Sequence, residues 1–128
     1  MSQQVLGEGS PNAKIYLIGE APGEKAEKSG RPFIGGDGNI LEGCLQEAKI
    51  KRGECYIDNV MQYRPPKNDF GVFYQDKGRK IPSQSLLEGH RRLQALVSQH
   101  QPNVVVALGN EALFALTNKH QITHWRGS

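Results

Sequence analysis

The chain has 128 residues, of which 37% are hydrophobic, with a mean hydropathy of −0.57 and a net charge of +3. That length predicts a single domain, residues 1–128, with a core of its own, and no apolar run approaches the ~20 residues of a membrane span. Met1-Ser2-Gln3-Gln4 has no leader character, and Cys44 and Cys55 make neither a disulfide framework nor a Cys-x-x-Cys site, so a reducing, cytoplasmic setting is expected.

Residues 5–9 read as a short edge element. Residues 13–18 (Ala-Lys-Ile-Tyr-Leu-Ile) read as a buried strand ending at Gly19. Two glycine-rich loop segments follow, 19–23 and 30–35. Residues 39–50 read as a helix whose apolar face carries Ile40, Leu41, Cys44, Leu45 and Ala48. Residues 55–61 read as a second strand, and residues 68–83 as a long polar loop with Gly71, Gly78 and Pro82, of a length that is usually functional or mobile. A helix over 86–100 follows, with Leu86, Leu93, Leu96 and Val97 inward and Ser83 or Ser85 as its cap. Residues 104–108 (Val-Val-Val-Ala-Leu) have the continuous apolar character of a central parallel strand. A short helix over 111–116 comes next, and the chain ends at Trp125-Arg126-Gly127-Ser128 with no clear closing strand. This alternation predicts an α/β fold with a parallel sheet flanked by helices.

In such a sheet the carboxyl ends of the strands border the ligand crevice. Gly19-Glu20-Ala21-Pro22-Gly23 therefore places backbone N–H groups at that crevice, suited to a phosphate or a carbonyl oxygen, although a plain tight turn accounts for it equally. It is neither a Walker A loop nor G-x-G-x-x-G. Phe33 is either a stacking platform for a base or a ring anchoring its loop. Asn59 carries one acceptor and two donors, which match the N3–H and O4 of an imide edge, or it closes an Asx turn. Arg64-Pro65-Pro66-Lys67 is a stiff segment with two cations, either a phosphate contact or a solvated linker. With Lys77, Arg79, Lys80, Arg91 and Arg92 it makes the region from 64 to 92 basic, and a pI near 9.0 permits a nucleic-acid partner. His90, His100, His120 and His124 are scattered and read as surface residues.

Taken together, residues 5–9, 13–23, 30–35, 56–66, 102–109 and Arg126-Gly127 resemble the uracil-DNA glycosylase superfamily, most closely its family 4. They are also similar to the glycosylase-like domains that accompany bacteriophage-type DNA polymerases. The resemblance implies a three-layer α/β/α fold around a central parallel sheet. It implies uracil-containing DNA, single- or double-stranded, as partner, with a polymerase or replication protein as a further one, and a base flipped into a pocket. Phe33 would stack on uracil and Asn59 would read its N3/O4 edge. The backbone of Glu20, Ala21, Pro22 and Gly23 would hold O2 and shape the water site, Gly19 would be a further substrate-binding residue, and Arg64, Pro65, Pro66 and Lys67 would contact DNA. The reaction implied is hydrolysis of the N1–C1′ bond, driven by stabilisation of the departing uracil anion.

Departures from the family pattern qualify this. Family 4 members carry a four-cysteine iron–sulfur cluster, but Tyr63 and His90 stand where two of those cysteines are expected and the early Cys-x-x-Cys pair is missing. No cluster and no metal are therefore expected. The acidic pair usual after the first motif reads Ala26-Glu27, and Ala21 fills the slot that holds a water-activating aspartate in other glycosylases. The His-Pro-Ser-like second motif is expected beyond Arg126-Gly127, so the domain reads as truncated, and a catalytically silent DNA-binding module is the alternative.

Overall fold

The computed structural model describes residues 3–117 and 125–127. Its four-stranded sheet has the order β2-β1-β3-β4, formed by Ile15–Gly19 (β1), Cys55–Asn59 (β2), Val104–Ala107 (β3) and Trp125–Gly127 (β4). All three pairings are parallel. The helices are Glu24–Ser29 (α1), Gly36–Glu47 (α2), Gln84–His100 (α3) and Asn110–Thr117 (α4).

Side chains alternate across the sheet, as the strand period of two requires. Tyr16, Ile18, Tyr56, Val105 and Ala107 face one way and pack with Leu86, Leu93 and Val97 of α3 and Ala112, Ala115 and Leu116 of α4. Leu17, Cys55 and Ile57 face the other way, onto Leu41 and Leu45 of α2. The predicted three layers, α/β/α around a parallel sheet, are thus present. β1 lies between β2 and β3, so the chain reverses its direction of sheet growth there, and the crevice at the strand ends opens beside it.

Several details differ from the sequence expectation. β4 closes the edge of the sheet against β3 in parallel register, although three residues are too few to show a strand pattern. α1 occupies what reads as loop, because only Ala26 of its six residues is buried and no periodicity is visible. The segment 68–83 is compactly folded. It carries 3-10 turns at Pro66–Asn68 and Phe70–Phe73, a bridge between Tyr74 and Pro82, and a cluster of Phe70, Phe73 and Tyr74. Its turns are tied by Asp69, which accepts from Gly71 N, and by Asp76, which accepts from Lys80 N and Ile81 N. Finally, the apolar face of α2 is only half covered. Leu41 and Leu45 are buried, whereas Ile40 is 69% exposed and Cys44 is exposed, because this side of α2 borders an apolar groove of about 660 Å³ that also reaches Ile50, Val106 and Leu108.

The edge element over 5–9 is a single antiparallel bridge between Glu8 and Ile57, extended by Val5 N donating to Gln62 O at 2.7 Å. Ser83 caps α3, its Oγ accepting from Leu86 N at 3.2 Å. No helix among the described residues is long and apolar enough to cross a membrane.

His90 is not a surface residue. It faces the α4 side of α3, 2% exposed, with its ring edge-on to Phe114 at 5.2 Å and neither ring nitrogen hydrogen-bonded among the described residues. The i, i+3, i+4 spacing that buries Leu86, Leu93 and Val97 also carries residue 90 inward. His100 is partly buried beside Asn12, with 3.1 Å between Nδ1 and Oδ1, while His120 and His124 lie outside the described residues. Burial pushes the pKa of His90 below 6.5, and the charge of Glu111 pulls it back only in part. The folded chain holds the neutral ring, whereas the unfolded chain takes up a proton near 6.5. His90 therefore contributes stability above that pH and loses it as pH falls toward the lowered folded value. Urea midpoints are expected to drop between about pH 7 and about pH 5, and to drop less in His90→Leu.

Candidate functional site

The parallel register sets Gly19 beside Asn59 at the carboxyl ends of β1 and β2. Val60 N then donates to Gly19 O at 2.9 Å and Met61 N to Glu20 O at 3.0 Å, so both chains leave the sheet together. Above them lies a cavity of about 230 Å³ whose wall includes Ala21, Pro22, Gly23, Phe33, Gly35 and Asn59. Five of these six were predicted site residues, and they converge from three separate segments.

Gly19 lies directly against Phe33 and Asn59. A methyl group built there would collide with Phe33 Cζ and lie 2.6 Å from Asn59 Oδ1, so the aromatic ring and the amide oxygen meet over a residue that must lack a side chain. Asn59 is 2% exposed, and its Oδ1 is buried with no hydrogen-bond partner among the described residues. An Asx turn would have satisfied that oxygen, so this alternative is not realised. An unpaired buried acceptor is costly and calls for a donor from a ligand or water.

Phe33 combines its two sequence readings. Its ring packs against the Leu17–Ile57–Leu41 cluster and also lines the cavity. Its backbone has φ 56°, a left-handed conformation that non-glycine residues rarely adopt. Glu20 turns away from this cavity. Its Oε2 accepts from Glu111 N at 3.2 Å at the start of α4, where a carboxylate meets the positive end of the helix dipole, and it borders the apolar groove, which also reaches Ala21, Phe33 and Asn59.

Asn59 is held from behind by a buried carboxylate. Asp58 points to the opposite face of the sheet, where Oδ2 accepts from Tyr56 Oη at 2.7 Å and from Arg92 Nη1 at 2.6 Å. Its Oδ1 accepts from Asn59 N at 2.7 Å and Gln62 Nε2 at 3.2 Å. Arg92 Nη2 donates to Asn59 O at 2.7 Å. Burial, followed by the Asp58 charge, pushes the Tyr56 phenol well above its ordinary value, so it stays a donor. None of this partnership was visible in the sequence, because Arg92 lies 33 residues from Asn59.

The basic region from 64 to 92 does not form one free cationic surface. Arg92 is committed to Asp58, and Arg79 to Glu111 and Asp69. Arg64 donates to Asn68 Oδ1 at 2.9 Å and lies 3.8 Å from Glu27 of α1, the helix that begins along the cavity wall. Pro65 is buried, while Pro66, Lys67, Lys77, Lys80 and Arg91 are exposed. Arg64 to Lys67 therefore lie next to α1, with Lys67 as the exposed cation of the segment.

The donors present do not fit a four-thiolate cluster. The chain has two cysteines, and they sit on different elements, Cys44 on α2 and Cys55 at the start of β2. Cys55 is buried with its thiol 3.8 Å from Lys51 O, and burial raises its pKa, which disfavours the thiolate that a metal needs. Tyr63 is partly exposed and His90 is enclosed against Phe114. Among the described residues no group of three or more His, Cys, Asp or Glu side chains is placed to hold a metal.

Arg92→Leu should leave the buried Asp58 short of its partner, destabilising the fold by about 1–3 kcal/mol in chemical denaturation. The double variant Asp58→Asn, Arg92→Leu should recover part of that loss, because a neutral amide has less need of the guanidinium.

The sequence model of the family described as "Uracil DNA glycosylase superfamily" matches residues 6–126. The Type-4 uracil-DNA glycosylase of Thermotoga maritima is 39% identical over 126 residues, covering 97% of this chain and 60% of its own length. That of Archaeoglobus fulgidus is 34% identical over 113 residues, covering 84% and 49%. That of Sulfurisphaera tokodaii is 46% identical over 65 residues, covering 50% and 30%. The chain thus spans at most 60% of the length of these relatives. With a family match running almost end to end over the strands and loops that build the cavity, this chain belongs to the uracil DNA glycosylase superfamily, and within it is similar to the type-4 enzymes.

Proposed function

We propose that this chain binds uracil flipped out of DNA and takes part in hydrolysing its N-glycosidic bond, as the first step of base excision. The observation that carries the reading is the unpartnered Oδ1 of Asn59, buried at the cavity beside the Phe33 ring. A flat imide fits that pair. The N3–H of the base donates to Oδ1, the amide nitrogen of Asn59 donates to O4, and the ring stacks on Phe33. The base must leave the duplex or come from a single strand to reach the cavity.

In this reading the segment from Gly19 to Gly23 lies along O2 of the base and bounds the space for the attacking water, with Ala21 and Pro22 as its wall. As the N1–C1′ bond breaks, negative charge develops on the pyrimidine and positive charge on the sugar. Fixed dipoles around O2 and O4 favour the anionic leaving group without reorganising during the step. Glu20 contributes its backbone; its carboxylate is occupied at the start of α4. Arg64 to Lys67, beside α1, hold backbone phosphates near the cavity mouth, without reading sequence. The relatives named above are all glycosylases, which favours this reading over a silent DNA-binding module.

The test is a single-stranded oligonucleotide with one uracil, incubated with excess protein and then treated with alkali to cut abasic sites. Scission is expected, reduced by about a hundredfold or more in Asn59→Ala. Phe33→Ala should lose both scission and binding. Scission unchanged in both variants, or the absence of any preference for uracil over thymine in both cleavage and binding, contradicts the proposal.

A further inference from the structure

We propose that Arg52, braced by Glu8, is the positioning residue for Phe33: it holds the backbone of residues 32–33 in the conformation that presents the ring to the cavity. The inference rests on Phe33 as the platform for the base. Arg52 lies in the 3-10 turn Arg52–Glu54 just before β2, far in sequence from the loop it grips. Its Nη2 donates to Pro32 O at 2.5 Å and its Nη1 to Phe33 O at 3.2 Å, so two successive carbonyls converge on one guanidinium. The other donors are anchored. Nε donates to Glu8 Oε2 at 2.9 Å and Nη1 also to Glu42 Oε2 of α2 at 3.3 Å.

Glu8 is itself fixed. Its backbone N–H and carbonyl exchange hydrogen bonds with Ile57 of β2, both at 2.8 Å. Its carboxylate also takes Arg31 Nε at 2.7 Å, and Arg31 immediately precedes the Pro32-Phe33 pair. The hydrogen bond from Arg31, followed by that from Arg52, holds the carboxyl of Glu8 below its ordinary range, so it stays charged at neutral pH.

A clamp is needed here because Phe33 has φ 56°, and nothing intrinsic to phenylalanine favours that conformation. The space is tight as well. A methyl group on Gly38, in the first turn of α2, would collide with the Phe33 carbonyl oxygen, so this carbonyl is confined between α2 and Arg52. The side chain of Arg52 is 11% exposed, so its bonds form away from competing water. A lysine keeps the charge but lacks the planar fork that reaches Glu8, Pro32 and Phe33 together.

A double-mutant cycle tests this, using the whole chain and a single-stranded oligonucleotide carrying one 2′-fluoro-2′-deoxyuridine, which resists hydrolysis. Affinity is read by fluorescence anisotropy. Arg52→Lys should weaken binding by about tenfold, within the range of one stacked base, and Glu8→Gln by less. In a Phe33→Ala background both effects should vanish, because the ring they position is gone. In Arg52→Lys the Phe33 amide and ring resonances should shift while those of the core strands stay in place. The inference is overturned if Arg52→Lys weakens binding equally in both backgrounds, the mark of a general structural role. It is also overturned if Phe33→Ala weakens binding while Arg52→Lys does not. If Phe33→Ala itself leaves affinity unchanged, the reading of the cavity fails first, and the role of Arg52 falls with it.

Discussion

The register of β1 against β2, which sets Gly19 beside Asn59, is the constraint on which the cavity depends. Side chains alternate along a strand, so a slip of one residue would send Asn59 to the α3 face and turn Asp58 into the cavity. The pairing is held from both sides. Ile57 and Leu17 are buried under α2, while Tyr56 and Tyr16 stack at 4.8 Å under the other layer. At the outer edge of β2 the Glu8–Ile57 bridge prevents further pairing and delivers the carboxylate that braces Arg52.

Two arginines divide the task of fixing Asn59 and Phe33, the two groups proposed to meet the base. Arg92 reaches across from α3 to the carbonyl of Asn59, and Arg52 reaches from the turn before β2 to the carbonyl of Phe33. Both hold main chain, leaving the ring and the amide oxygen uncommitted. Each is paired with a carboxylate, the half-buried Arg92 with the buried Asp58 and the more enclosed Arg52 with Glu8, so neither charge is left unpaired where water is scarce. The result is a small rigid site whose one unsatisfied group, Asn59 Oδ1, faces the place a ligand would take. In the proposed reaction, dipoles already aligned before charge develops would favour the leaving anion.

The strands β1, β2 and β3 were legible in the sequence because each is a short run with buried apolar residues that gives way to a glycine- or proline-containing segment, and the loop after β1 and the one before α2 carry Gly19 to Gly23 and Phe33. β4 was not legible because three residues carry no pattern, nor was α1, which is short and mostly exposed. Ile40 and Cys44 share the helical period of Leu41 and Leu45, yet they border an open groove, since periodicity shows which face is apolar and not what covers it. Glu20 could be assigned to the loop but not given a direction; that depended on α4 arriving with a free amide at Glu111. The clamps by Arg52 and Arg92 connect residues 19 and 33 positions apart, respectively, and left no local signal. The candidate groups at the cavity stand out by loop chemistry, whereas the groups that hold them in place become visible only in the fold.

The central claim is that Asn59 Oδ1 accepts a hydrogen bond from the imide of the base. The most direct measurement follows the side-chain amide resonances of Asn59 while nitrogen-15-labelled protein is titrated with two single-stranded oligonucleotides. One carries 2′-fluoro-2′-deoxyuridine, and the other carries its N3-methyl derivative, which keeps both carbonyls and the ring but has no N3–H. The account predicts a shift of the Asn59 amide and tight binding with the first, and neither with the second. Equal shifts and equal affinity for the two strands would contradict it.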